Sequence, residues 1–264
     1  MISLRRIGAV CLRHLYTLKS GPVRLLEMAY WPTMQMILWG FISSFFTTQS
    51  SWLAQSAGAL LAAMLLWDVL FRANLGVSVS FLEEMWARNL GHLFVSPLRP
   101  TEYLLALMTM SLLRTLIGII PAAVLAIPFY SYNVFSMGLP LLVFFACLMV
   151  TGWSLGIAIC ALILRFGLGA ESLAWVVVFA FAPISGIYYP LSVLPGWLQP
   201  LALAFPPAHV FEGMRAVLFD GVFQWGHLWA AVGLNLLYLA LAGGGFLLAF
   251  RGARRRGALL NHGE

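Results

Sequence analysis

Six stretches of the chain, 30–50, 52–71, 103–129, 139–163, 172–189 and 229–250, read as nearly uninterrupted apolar sequence. Four contain no Asp, Glu, Lys or Arg, and Asp68 and Arg114 are the only charges in the other two. Each is long enough, or nearly so, to cross the hydrocarbon core of a bilayer, which takes about 20 apolar residues. Within that core every backbone N–H and C=O needs a partner inside the protein, so only helices and closed barrels cross it. Barrel strands alternate over about ten residues, and these runs do not alternate. The sequence therefore predicts an all-α membrane protein with six transmembrane helices. At 62% hydrophobic and 9% charged residues it departs far from a soluble domain, in which about a quarter of residues are charged. No polar stretch is long enough to fold separately, so residues 1–264 read as a single transmembrane domain. The first two windows are joined directly and predict a tight hairpin at 50–52. The window 172–189 is the shortest and is bounded by Pro183 and Pro190.

The basic residues orient the spans. Arg5, Arg6, Arg13, Lys19 and Arg24 precede the first window, and Arg251, Arg254, Arg255 and Arg256 follow the last. Cytoplasmic loops carry the excess of Lys and Arg, so an even number of spans with both termini cytoplasmic is expected. Arg72, Arg88, Arg99 and Arg165 then fall in loops on the same side, and the opposite loops at 50–52 and 130–138 are uncharged. Arg13 interrupts the apolar run near the N-terminus, a poor fit to a cleaved signal peptide. Cys147 and Cys160 lie thirteen residues apart in one window, about 20 Å along a helix. With Cys11 they read as small buried hydrophobes, not as disulfide or metal ligands.

Three segments are not explained by spanning. In residues 1–22, Leu4, Ile7, Cys11, Leu15 and Leu18 share one helical face opposite Arg5, Arg6, Arg13 and Lys19. This predicts an amphipathic helix lying in the membrane interface, the alternative being a frayed basic tail. In residues 78–100, Leu82, Met85, Trp86, Leu90, Leu93 and Phe94 recur at helical spacing and are closed by Pro97 and Pro100. A bilayer-surface helix favours Lys and Arg, so the paired Glu83 and Glu84 point to docking on another protein. In residues 190–227, prolines at 190, 195, 200, 206 and 207 forbid one continuous helix. Two short helices that dip into the membrane and return are expected, with Trp197, Trp225 and Trp229 at headgroup level. Glu212 and Arg215 form an i, i+3 pair, either part of a gate or an anchor for the loop.

The sequence around these segments resembles a known family. Ser185-Gly186, Tyr189-Pro190-Leu191-Ser192, Leu194-Pro195, Trp197-Leu198, Pro206-Pro207 and Glu212-Gly213-Met214-Arg215 resemble the signature between the last two spans of ABC-2 type transporter permeases. Residues Val95-Ser96-Pro97-Leu98-Arg99-Pro100-Thr101-Glu102-Tyr103 resemble the segment that closes that family's coupling helix. Two departures, Arg88-Asn89-Leu90 and Phe205-Pro206-Pro207, bear on the subfamily. The resemblance implies the membrane subunit of an ATP-driven exporter of an amphipathic, drug-like, lipid or glycolipid substrate, in a prokaryotic inner membrane. It implies a homodimer, or a heterodimer with a related permease, and a cytoplasmic coupling helix carrying Glu83, Glu84, Trp86, Arg88, Pro97 and Arg99. It also implies a re-entrant outer gate carrying Pro190, Pro195, Trp197, Pro206, Pro207, Glu212 and Arg215.

A P-loop needs G-x-x-x-x-G-K-[ST], and the single lysine, Lys19, follows Leu18. The chain is therefore expected to be no enzyme and to carry no cofactor or metal, with ATP and Mg held on a separate P-loop ATPase subunit. The bilayer is the other expected partner, and nucleic acid is not one. Intramembrane charges mark function by default; Asp68 and Arg114 could pair with each other, snorkel, or touch substrate. Two rival readings are an ion-gradient-driven secondary transporter and a non-transporting assembly or anchoring factor.

Overall fold

The computed structural model describes residues 2–49 and 51–257, and the hairpin expected at 50–52 lies partly outside them. The described residues are helical throughout, with no strand among them. The principal helices are α1 (Leu4–Lys19), α2 (Pro22–Gln49), α3 (Ser51–Trp86), α4 (Leu90–Val95), α5 (Pro100–Tyr130), α6 (Leu139–Phe166), α7 (Leu173–Phe181), α8 (Gln199–Leu203), α9 (Pro206–Arg215) and α10 (Trp225–Arg255).

Among the described residues, five helical stretches are long and apolar enough to cross a membrane: Gly58–Trp86, Pro100–Tyr130, Leu139–Phe166, Leu168–Ser185 and Trp225–Arg255. The expected first span, 30–50, falls in α2 and is not among them. Tyr30, Trp31, Pro32, Thr33 and Gln35 dilute its apolar run, although α2 is a 28-residue helix.

The expected break after Phe71 is absent. Arg72 looks like the end of a span, but it pairs with Asp68 one turn back, and no proline interrupts the chain until Pro97. α3 therefore continues for 36 residues to Trp86 and absorbs the front of the segment assigned to a separate coupling helix. That segment breaks at 87–89, where Arg88 takes a left-handed conformation with φ 51°. The short α4 follows, and the Glu102 side chain reaches back to accept from the Arg99 N–H at the start of α5 at 3.0 Å.

α3 is the central helix, packed against α2, α5, α6 and α7. Its close approach to α6 rests on Gly152 and Gly156. A Cβ on Gly152 would lie 2.6 Å from the Leu70 carbonyl oxygen, and one on Gly156 2.9 Å from that of Asn74. Small residues four apart let membrane helices approach this closely. Polar clamps add specificity where no hydrophobic force separates helix from lipid. Asn74 Nδ2 donates to the Ala174 carbonyl at 2.7 Å. Thr151 Oγ1 donates to Asn235 Oδ1 at 2.7 Å. Leu236, Leu237, Leu241 and Leu248 of α10 face outward, as a lipid-facing helix requires. Cys11, Cys147 and Cys160 are all free.

Candidate transport cleft and coupling junction

One face of α1 packs on the protein. Val10, His14 and Leu18 are buried, Cys11 Sγ donates to the Ala106 carbonyl at 3.7 Å, and Leu4, Leu12 and Leu15 stay exposed. The apolar arc read from the sequence is thus divided, half against α5 and half outward.

Glu84 is the centre of this junction. Its Oε2 accepts from Arg13 Nη2 at 2.9 Å and from Asn89 Nδ2 at 2.8 Å, and its Oε1 lies 3.9 Å from His14 Nε2. Glu83 Oε2 pairs with Arg114 Nη2 at 3.3 Å. The two glutamates expected to reach outward to a partner are engaged inside the chain, Glu84 being 4% exposed. Burial lowers the His14 pKa below the usual imidazole value, with Glu84 pulling the other way. Glu102, fully buried, accepts from Arg99 N at 3.0 Å and Ser3 N at 2.9 Å and pairs with Arg6 at 3.3 Å. Arg6 also donates to the Pro97 carbonyl. Sequence reasoning missed Glu102 as an organising residue, although a Glu in the first turn after Pro100, ahead of an apolar run, is one half of a capping signal. The outward surface of the segment is carried by Trp86, Arg88, His92, Val95, Pro97 and Arg99, with Trp86 Nε1 donating to Glu171 Oε2 at 3.2 Å.

A cleft of about 720 Å³ lies between α2, α3, α5 and α7, and runs along α3 from Trp86 to Asp68. Eighteen residues of helix make this about 27 Å. Its walls combine Trp31, Phe71, Leu75, Val79 and Phe179 with Asp68, Arg72, Glu83 and Arg114. Asp68 and Arg114 share the cleft but do not pair with each other. Asp68 Oδ2 takes Arg72 Nε at 2.6 Å, and Arg114 takes Glu83. The i, i+4 partner one turn away outcompetes the helix-to-helix pair, because it needs no second helix at matched height. Pro32 lacks the N–H that the Met28 carbonyl would accept in an unbroken helix. That carbonyl and Arg72 Nη1 both lie 2.9 Å from where a Cβ of Gly118 would stand. Gly118 thus lets α2, α3 and α5 meet at the cleft.

The proline-rich segment forms two short helices, α8 and α9, with Pro200 and Pro206-Pro207 in their first turns. There the missing N–H costs nothing, since first-turn donors have no helical acceptor. Pro190 precedes a single turn at Leu191–Val193, which Pro195 follows, and Trp197 is 77% exposed. Glu212 Oε1 accepts from Leu191 N at 2.7 Å and Arg215 Nη2 at 2.9 Å. Arg215 Nη1 donates to the Gly186 carbonyl at 2.7 Å, Gly186 being left-handed at φ 62°. The Glu212–Arg215 pair therefore pins α9 to the 186–191 turn. His209 Nδ1 lies 3.0 Å from His227 Nδ1, and His209 Nε2 2.8 Å from the Leu203 carbonyl. His227, Asn235 and Tyr238, whose hydroxyl donates to the Ala204 carbonyl at 2.7 Å, were not singled out by sequence. Each is a lone polar residue in or beside an apolar helix, with no spacing that names its partner.

Long apolar helices around a cleft with paired intramembrane charges define a multi-pass membrane transport protein. The chain belongs to the ABC-2 type transporter family, whose family model matches residues 24–219. It is thus a transporter permease subunit, and the family implies an ABC transporter with an ATPase partner. No curated protein sequence matches the chain significantly.

Proposed function

We propose that this chain is the membrane half of an ATP-driven exporter. In this reading it crosses an inner membrane six times with both termini cytoplasmic, and works as a dimer with ATP and Mg held by separate ATPase subunits. α2 supplies the sixth crossing. It runs beside α5 from Met28, near Gly118, to Ile37, whose carbonyl accepts from Tyr130 Oη at 2.8 Å, and Trp39 stacks on Tyr188 at 5.1 Å. At 28 residues, or about 42 Å of helix, α2 is long enough for that role beside α5. α8 and α9 form the outer re-entrant gate, and the cargo is amphipathic, drug-like or lipid-like.

The observation that carries the reading is that Glu83 and Glu84 are adjacent on α3. Glu84 holds α1 and the 87–89 turn, while Glu83 lines the cleft. Movement of the α4 segment by an ATPase is thereby transmitted to the cleft within one helical turn. The docking surface is the outward set Trp86, Arg88, His92 and Val95, not the buried carboxylates. Co-purification of the ATPase subunit tests this. Arg88→Glu with Val95→Asp is expected to abolish it while leaving the folded permease intact. Undiminished co-purification would contradict the docking assignment.

A further inference from the structure

We propose that a groove between α6 and α10 holds one acyl chain of an anionic phospholipid, with the phosphate of its head on Arg165. This goes beyond the exporter reading and takes from it only the bilayer around the chain. The groove has a volume of about 500 Å³ and shares no residue with the transport cleft. Thr151, Ala158 and Leu162 line it from α6, and Tyr238, Ala242 and Gly245 from α10. Leu201 and Phe205 close one end as a roof, Phe205 stacking on Phe181 at 4.5 Å. Tyr238 Oη ties α10 to that roof through the Ala204 carbonyl at 2.7 Å. A Cβ on Gly245 would meet nothing within 4 Å, so the groove is open at that level.

Length, polarity and charge select the occupant. From Thr151 to Leu162 the α6 wall measures about 16 Å, against about 15 Å for one leaflet's share of the hydrocarbon core. The wall hydroxyls are already engaged inside the protein, Thr151 Oγ1 with Asn235 and Ser154 Oγ with the Val150 carbonyl at 2.8 Å. The groove thus offers little to a polar ligand and an apolar wall on three sides to an alkyl chain. Arg165 follows Leu162 by one turn on the same face of α6, at the helix end, where headgroups lie. It is exposed, and no acidic residue pairs with it among the described residues. Its guanidinium lies 5.6 Å from the centroid of the Phe166 ring. A lipid phosphate would supply the missing anion through paired N–H bonds. A head of net negative charge also compensates the arginine, which a zwitterionic head does not.

The test uses the full chain, delipidated in dodecyl maltoside, and a phosphatidylglycerol bearing a diazirine in its acyl chain as probe. Saturable photolabelling is expected within 155–162, 201–205 and 238–245. Unlabelled phosphatidylglycerol should compete about tenfold or more better than phosphatidylcholine, as one charge-assisted contact implies. Arg165→Gln should weaken labelling by about the same factor. Arg251→Gln, on α10 but off the face that carries Tyr238, Ala242 and Gly245, should leave it unchanged. Gly245→Leu fills the groove where a Cβ meets nothing, and should block labelling in a chain that folds. Equal competition by the two lipids, or labelling spread evenly over the outward faces of α5 and α10, would mean bulk lipid contact and overturn the proposal. Disulfide cross-linking of two Gly245→Cys chains in native membranes would put a second copy on the groove and overturn it equally. No ATPase or nucleotide is present, so these failures leave the exporter reading standing. Absence of ATP-driven flux with labelling intact would sink the exporter reading alone.

Discussion

Arg13 of α1 donates to the buried carboxylate of Glu84 at 2.9 Å across 71 positions of sequence. This bond fastens the N-terminal helix to the last turn of α3, and Asn89 on the following turn shares the same oxygen. α1 is therefore a structural part of the junction that Glu84 organises.

Glu84→Gln should destabilise the purified chain by about 1–3 kcal/mol, because a buried acceptor of two donors loses its charge. Arg13→Gln should cost less, since Arg13 is 43% exposed and an exposed pair is screened. Thermal unfolding of the two single variants and the double variant should show non-additivity of about 0.5 kcal/mol or more. Strict additivity would mean that the two residues do not interact.

Gly156→Leu should prevent α3 and α6 from closing, since even a Cβ there meets Val77 at 2.8 Å and the Asn74 carbonyl at 2.9 Å. Overpacking of this kind costs about 1–3 kcal/mol or more. Gly244→Ala, on α10 with nothing within 4 Å, is the matched control and should be neutral or slightly stabilising. Monodispersity in detergent distinguishes them, and equal behaviour of the two variants would refute the tight α3–α6 contact.

Glu212→Ala removes the acceptor shared by the Leu191 amide and Arg215. Amide exchange at Leu191 should accelerate by about tenfold or more, equivalent to about 1.4 kcal/mol of lost local protection. An unchanged rate would show that α9 is not pinned through Glu212.

The His209–His227 contact gives a pH dependence with a definite sign. His209 Nε2 faces a carbonyl and so carries the proton, leaving Nδ1 to accept from His227 Nδ1–H. Burial lowers the His209 pKa below the ordinary imidazole value, the Leu203 carbonyl pulling it up and His227 pushing it down. The unfolded chain then binds more protons below about pH 6.5. The stability this contact supplies should be complete above that value and fall as pH drops toward the lowered pKa. Thermal melts between pH 7.5 and 5 would follow it, and His209→Asn should flatten the acid limb. A native chain that gains stability on acidification would contradict the assignment.

The helical class and the presence of two short helices within 190–227 were legible because each rests on a local rule, either apolar length or the interruption of a helix by proline. The Glu212–Arg215 pair was legible for the same reason. What was not legible depended on packing between distant segments. Glu83 and Glu84 look like a solvated docking face until α1 and α5 supply Arg13 and Arg114. Asp68 and Arg114 could be read as a pair, as snorkelling charges or as substrate contacts because they were the only charges in their windows, yet Arg72, assigned to a loop, was a turn away from Asp68. The missing helix end after Phe71 has the same origin, since an arginine satisfied within its own helix gives no reason to stop. α2 was legible as the window 30–50, but its helix begins eight residues earlier, at Pro22, a start that the apolar run does not mark.

The central claim is best tested by reconstituting the permease with its ATPase subunit in proteoliposomes and measuring transbilayer movement of a panel of fluorescent amphipathic and lipid-like probes. ATP-dependent movement that requires both chains, and is lost in Arg88→Glu with Val95→Asp, is the predicted result. Movement driven by an ion gradient in the permease alone, without ATP or the second chain, would contradict the account.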